Sequence, residues 1–242
     1  MKILAFDTSG NTVTAALASE ETILCEQSVN NTQNHSVTLM PMVKQLLDRA
    51  DMPVSDLTHI ACVSGPGSFT GLRIGAATAK ALAYALDIPV IAVPTLDSLA
   101  YNVFDSQSII VPIMDARRRQ VYTAFYEWNT ENCDLTRLSD YMAKDIADVL
   151  KDLIGFNRSI IFLGDGVPVY KDAIKNNNFG IKYAYAPLPA LLQRAASAAC
   201  LAVKLAREGK TTDCGGFTPF YLRQSQAERM RGSCAMDTSS RA

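Results

Sequence analysis

Histidine is nearly absent. The 242-residue chain holds two, His35 and His59, and neither opens an H-x-x-x-H or H-E-x-x-H spacing. A self-contained zinc site of that design is excluded, and no metal is expected. The six cysteines, Cys25, Cys62, Cys133, Cys200, Cys214 and Cys234, form no C-x-x-C pair. Cys62 in an apolar strand and Cys200 in an apolar helix read as buried thiols of a reducing compartment. No apolar run approaches the roughly 20 residues of a membrane helix. Asp7 follows only a short apolar run, where a secretory leader needs a longer core. A cytoplasmic chain with no membrane partner is expected. Charge is scarce at 19 %, and a net charge of −1 excludes a nucleic-acid-binding polycation. Residues 1–100 carry five Lys/Arg and nine Asp/Glu, giving −4; residues 101–242 carry eighteen and fifteen, giving +3.

What is present is a globular composition, 48 % hydrophobic, long enough for one large domain or two small ones. Residues 63–75 read V-S-G-P-G-S-F-T-G-L-R-I-G, after an apolar run and before an alanine-rich one. That is strand, glycine-rich turn, helix, with Ser68 and Thr70 available as caps. The loop could present N–H groups to an anion, launch a docking helix, or be a tight turn. Gly75, Ala79 and Ala83 recur every four residues and form a flat stripe that another helix can approach, in this chain or a partner.

Strands are expected over 2–8, 12–18 and 22–27, a meander whose first turn reads D-T-S-G-N from Asp7. An acid, hydroxyls and a glycine there suit a phosphate-cradling hairpin or a plain turn. A helix over 37–50 carries a surplus apolar face at Met40, Met42 and Leu46. The motif helix runs to about 86, a buried strand covers 90–93, and a helix is expected over 99–104. A second unit repeats the design: strand 109–115, the turn Asp115-Ala116-Arg117-Arg118-Arg119, and strand 121–126. Its turn is basic and lacks glycine. Helices over 144–153 and 188–207, a strand over 159–163 and an extended piece over 217–223 complete the pattern. Arg73 is expected to pair with Asp7 or Asp97, or to reach a partner. Arg117, Arg118 and Arg119 read as a solvated turn or as a contact to a phosphate backbone or an acidic partner face.

D-T-S at 7–9, the 63–75 run, P-T-L-D-S-L at 94–99, D-A-R-R-R-Q-V-Y at 115–122, L-G-D-G at 163–166 and P-F-Y-L-R-Q-S-Q-A-E at 219–228 occur in this order. Together they resemble the bacterial TsaB (YeaZ) family over residues 1 to about 231. The resemblance implies an α/β, two-lobed actin/hsp70-like (ASKHA) fold of mixed sheets flanked by helices, with a reduced second lobe. The lobes would be 1–104, completed by helix 188–207, and 105–231, before a disordered tail at 232–242. It implies a non-catalytic scaffold of the complex that installs N6-threonylcarbamoyl on adenosine 37 of ANN-reading tRNAs. Implied partners are a TsaD-like catalytic subunit, a TsaE-like ATPase and, through the complex, tRNA, with a homodimer when the chain is alone. The first two helices would form the contact, through Met40, Val43, Leu47, Leu72, Gly75, Ala76, Ala79 and Ala83. Asp7, Thr8 and Ser9 would be a vestigial phosphate hairpin. No cofactor is expected on the chain itself, with ATP or ADP at the partner interface. The alternative is a nucleotide-hydrolysing or peptidase-like enzyme of the same superfamily. Against it, His35 is followed four residues on by Leu39, and Ser68 lies in no G-x-S-x-G.

Overall fold

The structure, a computed structural model, describes residues 1–30, 34–177 and 180–223. Its first lobe opens with β1 (Lys2–Asp7), β2 (Thr12–Ser19) and β3 (Ile23–Asn30), an antiparallel meander. Then come α1 (His35–Arg49), β4 (His59–Gly65), α2 (Phe69–Leu86) and β5 (Val90–Pro94). β4 and β5 run parallel to β1, and the sheet order is β3-β2-β1-β4-β5. The parallel strands are apolar almost throughout because both faces of the sheet are covered.

α3 (Thr95–Ala100) leads to the second lobe: β6 (Ile109–Asp115), β7 (Gln120–Thr123), β8 (Tyr126–Asn129), β9 (Asp134–Arg137) and β10 (Met142–Asp145). It continues with α4 (Ile146–Ile154), β11 (Ile160–Leu163), α5 (Val167–Asn177) and β12 (Tyr183–Tyr185). With the β8–β9 hairpin set aside, the order β10-β7-β6-β11-β12 repeats that of the first sheet, meander followed by two parallel strands. The helices repeat too: α4 and α5 stand where α1 and α2 stand. Strands of three or four residues at most positions make the second copy the smaller one.

α6 (Leu188–Leu191) and α7 (Ala195–Arg207) end the regular structure among the described residues. The continuous helix expected over 188–207 is broken. Leu192 is extended at φ −110° and ψ 172°, and Gln193 is buried. Arg194 reaches back to Glu26 at 2.5 Å. The alanine face of α7 then packs on Ile3, Ala5, Ala61, Val63 and Ile91, the face of the first sheet opposite α1 and α2. α3 begins at Thr95, four residues before the expected start, and packs with the second lobe through Leu96 and Leu99. The expected tail at 232–242 lies outside the described residues.

Two cysteine expectations divide. Cys62 is buried, and desolvation pushes its thiol well up; Cys200 faces solvent on α7. Arg73 does not pair with Asp7 or Asp97. Its Nε donates to the Tyr221 hydroxyl at 3.3 Å.

Candidate functional site

The β1–β2 turn is keyed into the start of α2. Asp7 is 1 % exposed; its Oδ1 accepts the Ser9 N–H at 2.7 Å, and among the described residues its Oδ2 has no hydrogen-bond partner. Burial pushes this carboxyl from the ordinary 3.8 up to about 6, outweighing the Ser9 hydrogen bonds that lower it. The Thr8 hydroxyl donates to the Gly71 carbonyl at 2.8 Å, and the Ser68 N–H donates to the Ser9 carbonyl at 2.7 Å. A Cβ on Gly71 would collide with the Thr8 carbonyl oxygen, so only glycine lets the helix sit this close. Ser68 caps α2 by accepting the Gly71 N–H at 3.3 Å, whereas Thr70 lies within the helix. His35 is the first residue of α1, and its Nε2 donates to the Gly10 carbonyl at 2.8 Å. The acid-bearing hairpin and the glycine-rich loop are thus one unit.

The corresponding turn of the second lobe faces it across a cavity of about 660 Å3. Arg117, Arg118 and Arg119 are exposed and all left-handed, at φ 65°, 54° and 62°, a run that non-glycine residues adopt at a cost. Asp115 accepts the Arg117 N–H at 2.9 Å and the Tyr170 hydroxyl at 3.0 Å. Arg117 also pairs with the Asp115 carboxylate at 3.5 Å, and Arg119 approaches Asp145 at 3.9 Å. Asp165, between β11 and α5, accepts the Asp115 N–H at 3.3 Å, and burial raises its carboxyl. Ser9, Arg117 and Arg118 line this cavity, together with Asp165 and Arg223, which the sequence placed in the L-G-D-G and P-F-Y-L-R motifs but not in a site. The internal repeat was the available signal for Asp165, since its loop corresponds to the one before α2. Among the described residues no three His, Cys, Asp or Glu side chains converge as metal ligands.

The residues expected to dock a partner divide. Val43, Leu72, Gly75, Ala76, Ala79 and Ala83 are buried within this chain, in the core that α1 and α2 form against the first sheet. A Cβ on Gly75 would lie 2.6 Å from the Thr8 hydroxyl and 3.2 Å from the Cys62 sulfur. The stripe therefore seats α2 on its own sheet and is not a partner surface. Met42 and Leu46 are buried as well, and Leu47 is half-buried. Met40 is exposed, with Val37 one turn before it. On α2 the exposed face carries a second small-residue stripe, Ala77, Ala81 and Ala85, beside Tyr84, which is 80 % exposed.

A family model for TsaD, tRNA N6-adenosine threonylcarbamoyltransferase, matches residues 22–230. The tRNA threonylcarbamoyladenosine biosynthesis protein TsaB of Bacillus subtilis is 38 % identical, covering 94 % of this chain and 96 % of its own. The chain belongs to the TsaB family. Solved structures agree: YeaZ from Pseudomonas aeruginosa superposes with a TM-score of 0.72 at 25 % identity, over 91 % of this chain and 99 % of its own. The activator of 2-hydroxyisocaproyl-CoA dehydratase from Clostridium difficile has a TM-score of 0.50 at 11 % identity, over 86 % of this chain and 97 % of its own. It shares the fold alone, the actin/hsp70-like arrangement of two related lobes. The Gly75, Ala79 and Ala83 stripe is part of that architecture, and Ala77, Ala81 and Ala85 on the outward face of α2 stand in solvent. No helix among the described residues is long and apolar enough to cross a membrane.

Proposed function

We propose that this chain is a non-catalytic scaffold in tRNA threonylcarbamoyladenosine biosynthesis, pairing through the outer faces of α1 and α2 with a TsaD-like catalytic subunit. The observation that carries this reading is the doubling of small-residue stripes on α2. Gly75, Ala79 and Ala83 are used up against the chain's own sheet, while Ala77, Ala81 and Ala85 are spaced in the same way and stand in solvent. Flat alanine faces let helices approach closely. The match of a TsaD family model to this chain supports the choice of partner: two chains with the same helices in the same places can pair face to face about a near-twofold axis. A homodimer through the same faces is expected when the catalytic subunit is missing. Engagement of tRNA through the complex, a TsaE-like ATPase, and ATP or ADP at the subunit interface belong to the same reading.

Co-purification with a TsaD-like subunit tests it. Ala81→Arg should abolish association and leave thermal stability unchanged, because the side chain points into water. Asp7→Asn should leave association intact. If Ala81→Arg still co-purifies at the wild-type ratio, the docking surface is wrong.

A further inference from the structure

A row of aromatic rings and guanidinium groups crosses the seam between the lobes. It starts on α2, where the Arg73 guanidinium lies 5.9 Å from the Phe69 ring centroid and Phe69 stacks on Tyr221. The next ring, Phe220, has its centroid 5.8 Å from that of Tyr141, and the Arg137 guanidinium stands over Tyr141 at 4.2 Å. The row therefore carries a cation at each end and rings between them. Both arginines are exposed, and Phe220 and Tyr221 keep 40 % and 36 % of their surface in water. Contiguous apolar surface left in water marks a contact site. Neither cation is held in a close ion pair. Among the described residues Arg73 meets no carboxylate, its Nε donating to the Tyr221 hydroxyl. Arg137 comes no closer than 4.0 Å to Asp97, whose Oδ1 already accepts the Tyr126 and Tyr141 hydroxyls at 2.7 and 2.8 Å.

We propose that this row binds unpaired RNA nucleotides, an inference that rests on the chain's proposed place in tRNA modification and names a contact within it. Bases stack on the exposed rings, and the strand's backbone passes Arg73 and Arg137. Every base has a π-face, so aromatic platforms hold single strands with little sequence preference, and guanidinium groups add charge and stacking of their own. In a duplex the base faces are already stacked on one another, so a loop or single strand fits and a helix does not. An apolar protein face laid on the row would bury both guanidinium groups without an anion, which is costly. Arg73 lies one turn before Ala77 on the exposed face of α2. RNA held on the row would thus lie along the edge of a subunit docked on that face.

Fluorescence anisotropy of the full chain with a labelled oligouridine of about twelve nucleotides tests this. An abasic strand and an RNA duplex of the same length are measured beside it. Oligouridine should bind saturably, and about tenfold more tightly than either comparison strand. Phe220→Leu should weaken it about fivefold. Arg137→Gln, at an exposed position, should weaken it about threefold and reduce the slope of log K against log salt by about 0.7, which a merely structural role would leave unchanged. The site is overturned by no saturable binding, or by wild-type binding in both variants. Equal binding of the abasic strand or of the duplex overturns the stacking of unpaired bases. Lost association with a TsaD-like subunit in either variant, with oligouridine binding unchanged, makes the row a protein contact and overturns the RNA assignment. The docking reading is separable: oligouridine binding is read on the isolated chain, and Phe220→Leu and Arg137→Gln should leave subunit association unchanged.

Discussion

The rings of Phe69 and Tyr221 stack with centroids 4.4 Å apart and planes 6° from parallel. Phe69 opens α2, and Tyr221 belongs to the irregular segment near the end of the described chain. The Arg73 guanidinium lies 5.9 Å from the Phe69 ring centroid and its Nε donates to the Tyr221 hydroxyl. One residue earlier, the Phe220 N–H donates to the Ser64 carbonyl at 2.7 Å; two residues later, Arg223 holds the Ala116 carbonyl. The segment therefore touches the first lobe and then the second.

Tyr221→Ala should cost about 1–2 kcal/mol in urea unfolding, through the lost stack and the apolar area it covers. Tyr221→Phe keeps the stack and loses only the partly exposed Arg73 hydrogen bond, so it should cost under about 0.5 kcal/mol. Equal losses in the two variants would show that the hydroxyl, and not the ring, holds the segment.

Gly71→Ala should be among the most damaging single-methyl changes in this chain, at about 3 kcal/mol or more. The new Cβ meets the backbone oxygen of Thr8, which cannot move without breaking the β1–β2 turn. Thermal melting beside Ala81→Arg, a far larger change on the opposite face, makes the contrast. An undiminished melting temperature for Gly71→Ala would contradict the close approach of α2 to Thr8.

Asp7 sets a pH dependence. Its carboxyl titrates near 3.8 unfolded and about 6 folded, so between those values the folded chain binds the extra proton. Stability is fully present below pH about 3.8 and falls as pH rises through 6, by about 3 kcal/mol for a shift of this size. Asp165 is shifted in the same direction and adds to the slope. Asp7→Asn should keep the acceptor for the Ser9 N–H, flatten stability between pH 4 and 6, and stabilise the chain at pH 8. Urea unfolding at intervals across that range checks the sign; a wild-type chain that gains stability from pH 4 to 6 while Asp7→Asn does not would reverse it.

The first lobe was legible because its signals are local. The apolar strands, the D-T-S-G-N turn and the G-P-G-S-F-T-G loop each name their own element. The direction in which α2 faces was not. On a helix with alanine or glycine at 75, 76, 77, 79, 81, 83 and 85, a spacing of four fits two faces equally well. What decides between them is the contact of Gly71 with Thr8, made across sixty-odd residues of chain. The break at Leu192 has a similar cause, since the alanine periodicity before and after it matches one long helix. The second lobe was read poorly at β8, β9 and α5, because strands of four residues barely establish a period. Of the candidate site, the sequence showed Ser9 and the arginine turn but not that they share a cavity.

Two bodies joined by one linker swing; each further tie narrows the angles open to them. The chain leaves the first lobe through residues 101–108 and returns to it through 192–194, where α7 begins, and the Phe220–Arg223 stretch ties the lobes once more through Ser64, Phe69 and Ala116. Any change in the angle between the lobes has to break the Phe69–Tyr221 stack or the Ser64 and Ala116 hydrogen bonds.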